Sequence, residues 1–290
     1  MNEGIMKRVV AGIALLVGVL AAIDMNADTG ISLTAKDGSR VVARTLEWYS
    51  SPDKCGYVVV PRGYLHQSFA LAEENGLKFK SLYGYVGIFA DYEPFVVEGV
   101  NEAGLSAGVF FLSDDSACPY ARSGGPEVVL CNKQFVSWVL SQFSSIDQIE
   151  DALEDVLEDV RLVPADAEYK ACWRISEPGG RTVIIQFTGG RPQFYDDSSI
   201  TSFHINETGF DTVMQAFRIL TASDVTASVS DIPGFTSVTD QTALKFYYRT
   251  ARNCNIRCIE LMNIDFRKVR YQSHPLDALQ NQPIEILKVK

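Results

Sequence analysis

The sequence predicts an α+β fold, in which segments with strand patterns come before and after a helical middle region. Short runs of β-branched and aromatic residues, bounded by turn residues, fill residues 29–112 and begin again at residue 172. The longest helical apolar periodicity lies between these two regions. This order favours a layered α+β architecture over alternating βαβ units. No glycine-rich phosphate loop follows a predicted strand, so nothing in the pattern supports nucleotide binding.

The first predicted element is a β-hairpin. Residues 29–34 and 41–44 are the two arms, and Asp37 and Gly38 form the turn between them. An Asp-Gly pair between apolar stretches is a strong local signal for such a hairpin. Further strands are predicted at residues 57–60, 83–89, 95–98 and 105–112.

Two helices are predicted in the middle of the chain. Residues 127–143 are apolar enough to form a largely buried helix. Ser145 followed by Gln148 has the spacing of a capping box, and an apolar stripe at helical spacing follows it. The many acidic residues of this second helix are most simply a solvated face, and a metal or partner site is the alternative.

The last third of the chain returns to strand patterns. Strands are predicted at residues 172–176 and 181–187 with a turn at 177–180, helices at 211–220 and 242–249, and a strand or strand pair at 256–264. No internal repeat or low-complexity linker divides the chain, so residues 28–290 are expected to form one domain.

Composition limits the classes of function. The chain has 290 residues, of which 47% are hydrophobic and 21% charged, and these values are typical of globular proteins and not of disordered ones. The 26 Lys and Arg residues and 36 Asp and Glu residues leave a net charge of −10. A nucleic-acid binder needs a basic face to neutralise phosphates, which this composition does not favour. We expect an acidic, soluble protein with a small-molecule or protein partner.

Residues 1–27 have the pattern of a secretory signal peptide. Lys7 and Arg8 supply the positive charge, residues 9–23 are an unbroken run of small and apolar residues, and Ala27 is the expected last residue before cleavage. Met25 is larger than the small residue usual at its position. An uncleaved membrane anchor is the alternative, but this run is short for a helix that spans a bilayer. The sequence therefore predicts an exported protein, periplasmic or secreted, without stable membrane insertion after cleavage.

The six cysteines carry no zinc pattern. Cys254 and Cys258 are the only close pair, and the three histidines lie far from one another in the sequence. An oxidising compartment permits disulfides, whereas buried apolar thiols are the alternative. The sequence predicts no metal site and no cofactor.

Several blocks of the chain, in the right order, resemble the choloylglycine hydrolases, the family of bile salt hydrolases and penicillin V acylases. These blocks are residues 28–48, residues 98–105 with the sequence EGVNEAGL, residues 173–186, and residues 223–245 around Ile232-Pro233-Gly234. The resemblance implies an N-terminal-nucleophile hydrolase with a four-layer αββα sandwich of two antiparallel sheets flanked by helices. It also implies hydrolysis of a small amide, either a conjugated bile salt or an acyl amide, and a homo-oligomer, often a tetramer.

The chemistry of this family explains why signal cleavage matters. An amide carbonyl is a poor electrophile, so a nucleophile, a base and oxyanion donors are all needed. In the family an N-terminal cysteine supplies the thiolate, and its own α-amino group, with a pKa of about 8, accepts and returns the proton. The resemblance places this nucleophile on position 28, which is Asp28 here. A carboxylate is a weak attacker of amides, so Asp28 is the central departure from the family.

The other catalytic positions follow from the same resemblance. The arginine beside the nucleophile matches Arg44, for which a surface strand arginine is the alternative. The family acid matches Glu47. The oxyanion-site asparagine matches Asn206, for which a plain loop residue is the alternative. The late catalytic arginine falls near Asp240, where the charge is inverted.

Substrate contacts are implied at three further positions. A second pocket donor falls on Phe110, which can donate no hydrogen bond, and Asn101 and Thr29 complete the set. For the late catalytic arginine of the family, which falls near Asp240, Arg249 or Arg252 is the alternative.

Three functions remain open at this point. The first is an exported hydrolase of linear amide bonds, which needs another nucleophile. Thr29 is the candidate if cleavage falls one residue later, but strand alternation turns its side chain to the opposite face. The second is a catalytically inactive relative that binds an acyl or steroid amide in an aromatic-lined pocket. The third is a secreted structural or partner-binding domain, for which no specific motif is present.

Overall fold

The computed structural model describes residues 29–46, 54–70, 75–111, 128–164, 171–197, 202–224 and 234–276. The strands in these ranges are β1 (Gly30–Thr34), β2 (Arg40–Leu46), β3 (Gly56–Val60), β4 (Leu65–Gln67), β5 (Asn75–Gly76), β6 (Lys78–Lys80), β7 (Tyr85–Phe89), β8 (Val96–Asn101), β9 (Ser106–Phe111), β10 (Val128–Cys131), β11 (Val160–Val163), β12 (Ala171–Ser176), β13 (Thr182–Thr188), β14 (Arg191–Asp196), β15 (Ser202–His204), β16 (Phe235–Asp240), β17 (Lys245–Thr250), β18 (Arg257–Glu260) and β19 (Gln272–Pro275). The α-helices are α1 (Phe135–Gln142), α2 (Ile146–Asp159) and α3 (Phe210–Asp224).

Two large sheets dominate the fold. Sheet A has the strand order β15-β1-β2-β16-β17-β18, and sheet B has the order β14-β13-β12-β9-β8-β7-β3-β19. All strand pairs in both sheets are antiparallel except β1 with β15. The described residues also form a three-stranded sheet, β11-β10-β5, and a two-stranded sheet, β4-β6.

Helices cover the outer faces of the two sheets. Helix α3 packs on β1, β2 and β16 of sheet A, with Val213, Phe217 and Leu220 in a core cluster that includes Ile31 and Val41. Helix α1 packs on β8 and β9 of sheet B, within a larger cluster that contains α2 as well. The layers therefore follow the order helix, sheet, sheet, helix, which confirms the predicted αββα sandwich.

The amino-terminal hairpin is confirmed. Strands β1 and β2 pair antiparallel, and Gly38 adopts a φ of 85°, a left-handed conformation that glycine reaches without a steric penalty. The Asp37 carboxylate accepts hydrogen bonds from the backbone N–H and the hydroxyl of Ser39, which lower the pKa of Asp37. Turn chemistry of this kind is local, so it can be predicted from a few residues.

The predicted helix at residues 127–143 is only partly correct. Residues 128–131 form strand β10, which pairs in parallel with β11, and helix α1 begins only at Phe135. The run Val-Val-Leu-Cys favours a strand once a neighbouring strand is available, because β-branched side chains pack well on a pleated surface.

The second helix, α2, confirms the predicted apolar stripe, but the two hydrogen bonds of the predicted capping box involve two different serines. Ile146, Ile149 and Leu153 are buried in the core. The Ser145 hydroxyl accepts a hydrogen bond from the Gln148 N–H, whereas the Gln148 side chain accepts one from the N–H of Ser144. The two reciprocal bonds of a capping box are therefore shared between neighbouring serines.

The predicted helix at residues 242–249 is wrong. Residues 245–250 form strand β17, which lies between β16 and β18 in sheet A. Phe246, Tyr247 and Tyr248 are all buried there, and consecutive aromatic residues suit a strand with both faces covered. At residues 256–264 one strand forms, β18, followed by a short 3₁₀ helix at Leu261–Asn263. Among the helices of the described ranges, none is long and apolar enough to cross a membrane.

Candidate active site

The strand register of sheet A sets four residues in one row. Gly30 pairs with Arg44, Arg44 with Ser237, and Ser237 with Tyr248. Side chains alternate between the faces of a strand, so this row faces away from helix α3 and toward sheet B. Tyr248 marks that face, because its ring centroid lies 6.1 Å from the ring of Tyr57 in β3 of sheet B.

Sheet B presents a matching polar row. Glu98 of β8 pairs with Gly108 of β9, and Gly108 pairs with Arg174 of β12. Both charged side chains are buried, with 7% of Glu98 and 9% of Arg174 exposed. Buried charged side chains therefore lie between the two sheets, at the face where they meet.

Arg44 bridges the two sheets. Its Nη1 donates to the carbonyl oxygens of Val109 at 2.6 Å and Val97 at 3.3 Å, and lies 3.4 Å from Oε2 of Glu98. Its Nε donates to the carbonyl of Thr45 at 3.4 Å. Only 2% of Arg44 is exposed, so it is not a surface strand arginine. A cation this deep needs oxygen partners to replace water, and the two sheets supply them.

Phe110 closes the space beside Arg44. Its ring centroid lies 4.0 Å from Arg44 Cζ, a cation–π distance, and a Cβ at Gly30 would approach the ring to 3.0 Å. A cavity of about 10 Å³ remains, which is room for about one water molecule. Its lining residues are Val42, Ala43, Arg44, Glu98, Ser106, Ala107, Phe110, Arg174 and Ser176. The buried Ser106 hydroxyl has no hydrogen-bond partner within the described ranges, which fits a water there.

A second buried ion pair lies next to the first. Arg174 Nε is 2.7 Å from Oδ2 of Asp197, and Arg174 Nη2 donates to the Ser32 hydroxyl of sheet A at 2.8 Å. Glu98, Arg174 and Asp197 were not among the sequence-predicted site residues. The available signal was a charged residue inside a buried strand run, as in Cys-Trp-Arg-Ile around Arg174, because such a charge requires a partner.

Thr29 continues the register of the hairpin. Its N–H donates to Thr45 Oγ1 at 3.3 Å, and its carbonyl accepts from the Thr45 N–H at 2.9 Å. Because sides alternate along a strand, Thr29 is on the opposite face from Gly30 and Arg44. A hydroxyl nucleophile on Thr29 would therefore face away from the Arg44 cluster. Asp28 and Glu47 lie outside the described residues.

Asn101 lies at the end of β8 and is fully hydrogen-bonded. Its amide nitrogen donates to the carbonyls of Leu140 at 3.0 Å and Phe143 at 2.7 Å, and its oxygen accepts from the N–H groups of Ala103 and Leu105. These four bonds use every donor and acceptor position of the side chain. In the structure Asn101 therefore ties the β8–β9 turn to the end of helix α1.

Asp240 is the last residue of β16, where the turn to β17 begins. Its carboxylate accepts from the Ala243 N–H at 2.8 Å, and burial raises its pKa. It pairs with Val41, three residue pairs from Arg44, which is about 10 Å along the strand. Asn206 is exposed between β15 and α3. The structure thus brings Arg44 and Phe110 together, and Asn206 and Asp240 are not among the residues lining their cavity.

The alternatives for the late arginine lie elsewhere too. Arg249 Nη2 donates to the hydroxyl of Thr221 in α3, and its Cζ is 5.3 Å from the ring of Phe217. It therefore lies on the face of sheet A that faces α3. Arg252 is exposed after β17. Within the described ranges, no group of three or more His, Cys, Asp or Glu side chains could hold a metal ion.

Comparison with known proteins gives consistent matches. A model of the linear amide C–N hydrolases of the choloylglycine hydrolase family matches residues 29–217. A bile salt hydrolase/transferase of Bifidobacterium longum subsp. longum is 28% identical over 191 residues, which cover 66% of this chain and 58% of that protein. A bile salt hydrolase/transferase of Clostridium perfringens is 27% identical over 172 residues, which cover 59% of this chain and 51% of that protein. The chain thus spans less than two thirds of the curated relatives that it matches.

Solved structures share the fold. A penicillin V acylase from Agrobacterium tumefaciens superposes with a TM-score of 0.71 at 16% identity, over 87% of this chain and 92% of that one. A variant of the conjugated bile acid hydrolase from Clostridium perfringens superposes with a TM-score of 0.67 at 16% identity, over 89% and 99%. At this level of identity the superpositions establish the architecture alone.

Proposed function

The chain belongs to the choloylglycine hydrolase family, and from this we propose that it is an exported hydrolase of linear amide carbon–nitrogen bonds, of the bile salt hydrolase or penicillin V acylase type. Its site centre would be position 28, made the first residue of the mature chain by removal of residues 1–27. The nearest described residues, Thr29 and Gly30, lead into an inner strand of sheet A.

The observation that carries this proposal is the position of Arg44. It pairs with Gly30, two residues from position 28, and its guanidinium is buried between the sheets. A fixed cation in such a space stabilises negative charge more strongly than one in water, because little solvent screens it. Amide hydrolysis develops that charge on the attacking group and on the carbonyl oxygen.

Asp28 sets the chemical problem. A thiolate at this position would attack the carbonyl carbon, the carbon–nitrogen bond would break, and the α-amino group would pass its proton to the leaving amine. Water would then hydrolyse the thioester. A carboxylate attacking in the same way would form an anhydride, with no proton for the amine to take.

The second candidate function is a catalytically inactive family member that binds an acyl or steroid amide. Asp28 favours it directly. Phe110 also favours it, because its ring fills the space beside Arg44 and offers no donor to an oxyanion. Ligand binding without turnover is then the expected behaviour.

The proposed substrates follow from the family and from the names of the relatives. Conjugated bile salts are the first class, since the curated relatives are bile salt hydrolase/transferases, and acyl amides such as penicillin V are the second. A homo-oligomer, tetrameric as is often the case in the family, is part of this proposal.

The test is amide hydrolysis by the mature protein that begins at Asp28. Conjugated bile salts and penicillin V are assayed with the unmodified protein, with Asp28→Cys, and with Asp28→Ala as the matched control. Turnover by the unmodified protein would support the hydrolase and contradict the inactive binder. Turnover by Asp28→Cys alone would show a competent site that lacks its nucleophile.

If none of the three proteins hydrolyses an amide but a ligand stabilises the protein, the binding function is supported, because a ligand that binds only the folded state raises its Tm. The absence of both hydrolysis and ligand-dependent stabilisation would contradict both proposals. The proposed export is tested separately by fractionating the producing cells and sequencing the N-terminus of the recovered protein, where retention of residues 1–27 would contradict cleavage.

A further inference from the structure

Glu98 is a buried carboxylate on the face of sheet B that meets sheet A. It lies in the middle of β8, between β7 and β9, and it pairs with Ile88 on one side and Gly108 on the other. A charge at this place in a β-sandwich has a high desolvation cost, so its position calls for a specific partner. One such partner within the described ranges is the guanidinium of Arg44, with Nη1 3.4 Å from Oε2.

The backbone makes room for this carboxylate. A Cβ at Gly108 would overlap Oε2 of Glu98 and would lie 3.0 Å from Nη1 of Arg44. Glycine at position 108 therefore leaves the space in which the carboxylate and the guanidinium meet. Any side chain there would displace one of the two groups.

The other contacts of Arg44 restrict the guanidinium on several sides. Carbonyl oxygens of Val97 and Val109 accept from Nη1, and the Phe110 ring covers one face of the group. These partners are neutral, whereas Glu98 supplies an opposite charge. Without Glu98 the cation would lose an opposite charge 3.4 Å away, and movement toward water would relieve part of its desolvation cost.

We propose that Glu98 is a positioning residue that holds the guanidinium of Arg44 at the start of the mature chain. This inference rests on the proposed function, in which Arg44 stabilises negative charge during amide hydrolysis. Glu98 itself would not touch the substrate. Its effect on the reaction would pass through Arg44. A displacement of about 1 Å at a catalytic group can cost on the order of 10²-fold in rate, so a small shift of the guanidinium would be enough.

The chain offers a matched control in the second ion pair. Asp197 is buried like Glu98 and is paired with an arginine between the same two sheets, and that arginine is Arg174. Glu98→Gln and Asp197→Asn each replace a buried carboxylate by its amide. Both are expected to lower the Tm, so a general loss of stability cannot separate them.

Two readouts test the inference, and the first also separates the two variants. The first is the Nε–Hε signal of Arg44 in a nitrogen-15 NMR spectrum, assigned with Arg44→Lys, which is expected to shift in Glu98→Gln and to stay in place in Asp197→Asn. The second is the rate of amide hydrolysis, with the substitution introduced into whichever protein is active, either the unmodified protein or Asp28→Cys. There kcat is expected to fall on the order of 10²-fold in Glu98→Gln, with KM little changed.

Glu98→Asp carries the test if Glu98→Gln does not fold, because it keeps the charge but withdraws the carboxylate by one methylene. An unchanged Arg44 signal in the folded Glu98 variants would overturn the inference. A kcat that stays at the background value in a folded Glu98→Gln would overturn it as well. If no background hydrolyses an amide, the proposed function fails, while the Arg44 signal still decides whether Glu98 positions the guanidinium.

Discussion

His66 makes stability depend on pH in a way that the structure quantifies. The residue lies on β4 with 9% exposed, its Nε2 is 2.9 Å from the Ser81 hydroxyl, and its ring stacks on Phe79 with centroids 4.7 Å apart. Tyr64 meets the ring edge-on at 4.8 Å. Burial among these groups disfavours the charged imidazolium and lowers the pKa of His66 to about 4, from an ordinary value of 6.5.

The magnitude follows from the linkage between proton binding and folding. In the unfolded chain His66 takes up a proton as the pH falls through about 6.5, whereas the folded protein does so only near pH 4. The neutral histidine therefore contributes its full stability above about pH 6.5, and about 3 kcal/mol is lost as the pH falls to about 4. Burial raises the pKa of Tyr64 and of Tyr85, so both tyrosines stay neutral in this window.

The assay is urea unfolding of the unmodified protein and of His66→Gln at about pH 7 and about pH 4. The variant cannot titrate at this position. Its deficit in free energy of unfolding, relative to the unmodified protein, should therefore shrink by about 3 kcal/mol from the higher pH to the lower one. His204→Gln, a change at an exposed histidine, is the control for the rest of the chain. A difference between the unmodified protein and His66→Gln that stays constant with pH would refute the argument.

Two further changes test the layers of the sandwich. Gly99→Ala should cost about 1–3 kcal/mol, and lower the Tm by roughly 2–4 °C per kcal/mol, because the new Cβ would lie 2.6 Å from the Val86 carbonyl oxygen and 2.8 Å from Leu140 of α1. Calorimetry checks this against Gly179→Ala, where the Cβ has room, and equal Tm values in the two variants would contradict it. Arg181→Ala should cost less than about 1 kcal/mol by urea unfolding, because its ion pairs with α2 are on the surface; a larger loss would show a role beyond that pair.

Local signals were enough for some elements and not for others. The turn at Asp37 and Gly38 and the stripe of α2 depend on residues close in sequence, so both could be predicted. Strand β17 was predicted as a helix because its consecutive buried aromatic residues have no strand alternation, and only its place between β16 and β18, with both faces covered, explains them. Strand β10 likewise depends on β11, some thirty residues later, since each pairs with the other in parallel.

The same limit applies to the site. Arg44 could be selected from the family resemblance, and the structure shows why an arginine is tolerated there: Glu98 and two carbonyls of sheet B meet it. No spacing in the sequence connects Arg44 with Glu98, because the two belong to different sheets. Asp197 was missed because its partner Arg174 lies two strands away in sheet B, again with no spacing in the sequence that connects them.

The strand order of sheet A has a consequence for how the protein folds. Strands β1 and β2 come first in the chain, yet their outer neighbours are β15 and β16, which are separated from them by more than half of the sequence. The amino-terminal hairpin therefore emerges with both edges unpaired and must wait for the last third of the chain. Pairing over such separations is slow, and open edges invite association with other chains. Folding should thus be most vulnerable early, and the surroundings of Arg44 should be among the last parts of the molecule to close.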